Sequence, residues 1–126
     1  MSPTKPLADP SDSADCVSID AILAAFYDVI SGPAGAPRDW ARAQALFVPG
    51  AQLIAGTPGA SGEVTFEIFD TAGYAASRGP YFAAHPFYER EVARRIDSHG
   101  CMAHVFSTYE SRTDPAAPPF MRGVNA

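Results

Sequence analysis

Between residues 86 and 112 two runs rich in Val, Ile, Phe and Tyr flank a short polar segment, Asp97, Ser98, His99 and Gly100. Aromatic and β-branched residues on either side of turn-forming residues predict a long antiparallel hairpin. If Asp97 and Gly100 face each other across the turn, Ala93 lies opposite His104, Glu91 opposite Phe106 and Glu89 opposite Thr108. Strict alternation then groups Phe87, Glu89, Glu91, His104 and Phe106 on one face. Tyr88, Val92, Ile96, Val105, Ser107 and Tyr109 fall on the other. A single bulge would carry part of each set to the opposite face.

Earlier in the chain the period changes. Ile19, Ile22, Leu23, Phe26 and Ile30 recur at helical spacing, with Ser18 as a cap and Asp20 in the first turn, so a helix is predicted to run to about Ile30. Ser31, Gly32 and Pro33 end it, and a short second helix places Trp40, Ala43 and Phe47 on one side. Strands are predicted over 51–55 and 63–69, the second with Val64, Phe66 and Ile68 alternating against Thr65 and Glu67. Asp70 caps a third helix over 71–77, which Gly79 and Pro80 are expected to interrupt before 81–84. A last strand is expected over 120–124. Helices gathered early and long antiparallel strands gathered late imply an α+β fold, with N-terminal helices packed against one curved antiparallel sheet.

Composition narrows the partners. The chain has 126 residues, 47% of them hydrophobic, enough for one domain with its own core over 17–126. Residues 1–16, rich in Ser, Pro and Asp, are expected to form a disordered tail. A net charge of -5 opposes attraction to phosphate backbones or anionic lipid, so neither nucleic acid nor membrane is expected as a partner. Two cysteines, Cys16 and Cys101, are too few for a stapled secreted domain. No signal-like or membrane-spanning run is found, and a cytoplasmic location with two free thiols is expected, Cys101 buried and inert.

Several short patterns taken in order resemble one family. Trp40 and Phe47 precede Pro49-Gly50-Ala51. Phe87, Glu89 and Glu91 alternate, and Gly100 leads through Ala103-His104-Val105 to Ser107-Thr108-Tyr109-Glu110-Ser111-Arg112. Arg122-Gly123-Val124-Asn125 closes the series. Together these resemble the NTF2-like superfamily, and within it the SnoaL-like group. The resemblance implies a cystatin-like α+β cone with a pocket for a small hydrophobic molecule, and a homodimer formed through the sheet. Similar proteins continue past the Arg-Gly segment through a further strand and a last hairpin, whereas this sequence ends at Ala126. Open strand edges, and with them self-association, are expected.

Glu89, Glu91 and His104 are the candidate catalytic residues. If their shared face lines the cone, burial raises a carboxylate's pKa and a neighbouring carboxylate supports a protonated imidazole, which makes a proton-transfer pair. Enzymes resembling this fold, among them polyketide cyclases, dehydratases and isomerases, use Asp, Glu or His in this way without a cofactor. The structural alternative pairs the two glutamates with Arg90, Arg94, Arg95, Arg112 or Arg122 and leaves His104 as a hydrogen-bonded sheet residue. Tyr27, Trp40, Phe66, Phe82, Phe87 and Phe106 are the candidate ligand-binding residues, and plain core is the alternative for each. The Gly56–Glu63 stretch lacks the Lys and Ser/Thr of a phosphate loop. His85, His99 and His104 lack metal-ligand spacing, so no metal and no cofactor are expected. Three functions remain open: a ligand-binding domain, a cofactor-free acid/base enzyme, and an interaction module using Tyr88, Val92, Ile96, Val105 and Tyr109.

Overall fold

The computed structural model describes residues 14–126. The expected tail lies outside the described residues apart from Ala14–Cys16, which form one 3-10 turn. Three helices and five strands follow: α1 (Ile19–Ile30), α2 (Trp40–Gln44), β1 (Leu53–Pro58), β2 (Val64–Phe69), α3 (Thr71–Ala84), β3 (Tyr88–His99), β4 (Met102–Arg112) and β5 (Met121–Asn125). The fold is α+β with antiparallel pairing throughout, but in two sheets, β1-β2 and β3-β4-β5, where one curved sheet was expected.

The chain divides into two compact units. The first holds the described residues up to Ala25 together with Asp39–Pro80. Its helix starts are capped, at Ser18 and Asp70 as the sequence predicts and at Asp39 in addition. Ser18 Oγ accepts from the Ala21 amide at 3.0 Å, the Asp39 side chain from Arg42 at 3.0 Å and Asp70 from Gly73 at 2.7 Å. Asp15 and Arg42 form an ion pair at 2.8 Å. In the β1-β2 ribbon, Leu53 faces Phe69 and Pro58 faces Val64. Val64, Phe66 and Ile68 alternate as expected, yet all three are exposed.

The interruption expected at Gly79 and Pro80 does not occur: α3 runs through Pro80. Proline lacks the amide that would bond the carbonyl four residues back, that of Ala76. Ala76 and Pro80 are both exposed, and a helix tolerates a proline best where solvent can serve the freed carbonyl.

The second unit comprises Phe26–Arg38 and Tyr81–Ala126. Phe82 and Phe87 are buried in contact at its centre, ring centroids 5.2 Å apart, next to the buried end of α1 at Val29 and Ile30. Arg38 organises the chain leaving α1. Its guanidinium donates to the carbonyls of Ile30, Gly32, Pro33 and Ala36 at 2.8 to 3.2 Å and lies 4.8 Å from the Phe82 ring centroid. One fork thus bonds the last carbonyl of α1, at Ile30, together with three carbonyls of the segment that follows it. Gly32 and Phe87 exchange backbone hydrogen bonds of 2.8 and 3.0 Å, which fixes the entry to β3 against the exit from α1.

The β3-β4 hairpin exists, with a different register. Its turn is the two residues Gly100 and Cys101, so that His99 pairs with Met102, and Gly100 takes the positive φ of 58° that a tight hairpin turn favours. Ala93 therefore faces Thr108 and Asp97 faces His104. A bulge shifts the register between Glu91 and Ala93, with Val92 as the extra residue. Glu89, Glu91, Arg94 and Ile96 consequently share one face with Ser107, Tyr109 and Ser111. His104 and Phe106 lie on the opposite face. Cys101, at the tip of this turn, is exposed where burial was expected.

Candidate functional site

The first face of the β3-β4-β5 sheet carries a connected polar cluster, built where α1 ends. Ser31, in the turn after α1, donates from Oγ to the Tyr27 carbonyl at 2.7 Å and accepts from the Glu89 amide at 3.0 Å. One hydroxyl thereby sets the start of β3 against the last turn of α1. From that turn the buried Tyr27 reaches across to β4, where its phenol oxygen lies 2.7 Å from Ser107 Oγ. Asn125, which pairs with Ser107 from β5, donates from Nδ2 to the same phenol at 3.2 Å.

The two glutamates of this face meet different surroundings. Glu91 is ion-paired: Arg94 Nε lies 3.0 Å from both carboxylate oxygens, and Nη2 lies 2.7 Å from one. Ser107 also donates to Glu91. The bulge makes this pairing possible, because removal of Val92 from the alternation brings Arg94 to the face of Glu91. Among the described residues, Glu89 receives neutral donors. Ser111 donates to it at 3.0 Å, Asn125 also hydrogen-bonds it, and among the described residues no cation pairs with it. Burial pushes its carboxyl up to about 7, and the bonds from Ser111 and Asn125 offset only part of that rise.

The neighbouring phenols respond in the same sense. Burial raises the pKa of Tyr27, the bond from Asn125 opposes it, and the charges of Glu89 and Glu91 add to it. Tyr109 is raised by burial, then by Glu89 and Tyr27. Glu89 remains partly accessible. A carboxyl that is half-protonated near neutral pH, reachable and bordered by two phenols can donate or accept a proton without a metal.

The structure brings together only some of the residues predicted from sequence. Glu89, Glu91 and Tyr27 meet in the cluster. His104 does not, because the bulge places it on the other face, exposed, beside Asp97 and with its ring 4.6 Å from that of Phe106. The grouping of His104 with the two glutamates is corrected accordingly. Phe82 and Phe87 are core of the second unit, and Phe106 shares the outer face with His104. In the first unit, Trp40 packs edge-on to Tyr74 with centroids 6.2 Å apart, and Phe66 is exposed on β2. Among the described residues, no group of three or more His, Cys, Asp or Glu is placed to hold a metal ion. No helix there is long and apolar enough to cross a membrane.

Ser107, Tyr109, Ser111 and Asn125 were not singled out as site residues. Ser107 and Ser111 left a trace: two small hydroxyl residues four apart in a strand share a face and suit a row of acceptors on the facing strand. Asn125 left none. Comparisons of the chain with family models, with curated proteins and with solved structures gave no significant match.

Proposed function

We propose that this chain is an NTF2-like domain of the SnoaL-like type that binds a small, largely hydrophobic molecule against the Glu89 face of its three-stranded sheet. The observation that carries the proposal is the place of the Glu89 carboxyl, half-buried on the sheet face of Tyr109 and Ser111, bonded by Ser111 and Asn125 and paired with no cation among the described residues, where burial pushes it up to about 7. A neutral carboxylic acid in such a place donates a hydrogen bond to a carbonyl or ether oxygen, and its carboxylate form accepts a proton from a carbon acid or hydroxyl. Cofactor-free acid/base catalysis of the isomerase, dehydratase or cyclase type is favoured by the same group, since a proton carrier is most effective when its pKa lies near the working pH. In this scheme Glu89 transfers the proton, and Glu91, neutralised by Arg94, holds Ser107 in place.

Deuterium incorporation into a cyclic ketone at pD 7, followed by NMR, tests both parts. Backbone shift changes on ketone addition are expected to cluster at Tyr27, Glu89, Tyr109 and Ser111. Wild-type protein is expected to speed exchange at the α-carbon, with Glu89→Gln losing on the order of 100-fold of that gain or more. His104→Ala is expected to exchange as wild type does. Shift changes confined to the His104 face, or equal exchange by wild type and Glu89→Gln, would contradict the proposal.

A further inference from the structure

Counting hydroxyl protons gives the polar cluster a direction. Ser107 has one proton, and it points to Glu91. The 2.7 Å contact between Ser107 and Tyr27 must therefore be made by the Tyr27 proton. With its proton committed, the Tyr27 oxygen acts as an acceptor, and Asn125 Nδ2 donates to it from 3.2 Å. The chain of donors runs from the Asn125 amide through the Tyr27 phenol and the Ser107 hydroxyl to Glu91, where Arg94 closes it. Three strands and one helix each supply a link, and Asn125 sits at its head.

On this geometry, and resting on the site reading above, we infer that Asn125 is a positioning residue: its amide hydrogens hold the Tyr27 phenol turned toward Ser107 and brace the Glu89 carboxyl, leaving Glu89 as the one proton carrier offered to a ligand. An amide nitrogen has two hydrogens. One is spent on Tyr27, and the second is available for Glu89, whose ionised form Asn125 favours. The titratable and charged groups on this face are Tyr27 from α1, Glu89, Glu91 and Arg94 from β3 and Tyr109 from β4, and β5 brings the uncharged Asn125.

Because Asn125 stabilises both the Glu89 carboxylate and the Tyr27 phenolate, its loss should move both titrations upward together. Asn125→Leu keeps the volume and removes the donors, whereas Asn125→Asp keeps the shape and turns donors into acceptors. Carbon-13 NMR titration of the Glu carboxyls and Tyr ring carbons in full-length protein reads the result without any ligand. Both variants are expected to raise the Glu89 midpoint by about half a pH unit or more, with Asp the larger because it adds a negative charge, and to raise Tyr27 with it. Asn125→Gln, which keeps the amide, should restore part of the shift. If wild-type Glu89 titrates near 7 and both variants leave Glu89 and Tyr27 unmoved, the role assigned to Asn125 is overturned while the site stands. A wild-type midpoint near 4.5 would remove the site itself.

Discussion

Glu89 and Glu91 lie two positions apart on one strand face, and their surroundings decide their chemistry. Arg94 grips Glu91 with a bidentate fork, whereas Glu89, among the described residues, has hydroxyl and amide donors to set against burial. The consequence for stability has a definite sign. With a folded-state value of about 7 against 4.5 for the ordinary carboxyl, the native protein binds the extra proton between those pH values. The stabilisation is complete below pH 4.5 and is lost as pH rises to 7, amounting to roughly 3 kcal/mol. Glu89→Gln, neutral at every pH, should therefore be more stable than wild type by up to that amount at pH 8 and about equal to it at pH 4, as read by urea denaturation. A variant less stable than wild type at pH 8 would contradict the account. Asp15, Glu63 and Glu110 act in the opposite sense, since hydrogen bonds from Arg42, Ser61 and Arg122 respectively lower them, so their contribution fades in acid. The sequence made Glu89 visible as an acid beside an aromatic residue in a strand. It did not reveal that Arg94 would choose Glu91, because that choice depends on one extra residue in β3.

At the scale of elements, periodicity made α1, α2 and the β3-β4 hairpin legible, and the caps Ser18 and Asp70 marked the starts of α1 and α3 because they act locally. Register was less legible. Period-2 alternation fixes a face only until a bulge intervenes, and nothing in the side chains of Glu91, Val92 and Ala93 marks the bulge between them. The same residue that carries Arg94 to Glu91 takes His104 out of the site. α3 is the second case: proline disfavours a helix interior, but its cost falls where solvent can serve the freed carbonyl, and Ala76 is exposed. Arg38 is the element-scale device that sequence could not indicate, since its four acceptors exist only once the chain after α1 has turned. Arg38→Ala should cost about 2 to 3 kcal/mol by denaturant unfolding, and Arg38→Lys about 1 to 2, because an ammonium cannot reproduce the planar fork over Phe82. A Lys variant as stable as wild type would show that charge alone suffices there.

Taken whole, the chain forms two units, and the proposed chemistry belongs to the second. Fold class was readable from the order of elements, whereas the division of the strands into two sheets was not, because alternation within a strand does not name its neighbours. The net charge of -5 sets no local field at Glu89 that composition alone would disclose. What raises this carboxyl is enclosure by segments brought together from residues 27, 31, 107, 111 and 125, a property of the folded unit and not of any stretch of it. It must vanish when the unit unfolds. The most direct measurement is a carbon-13 NMR titration of the Glu89 carboxyl in native protein and in concentrated urea. A midpoint of about 7 in the folded protein, falling to about 4.5 on unfolding, is the result the account requires. A single midpoint near 4.5 in both states would contradict it.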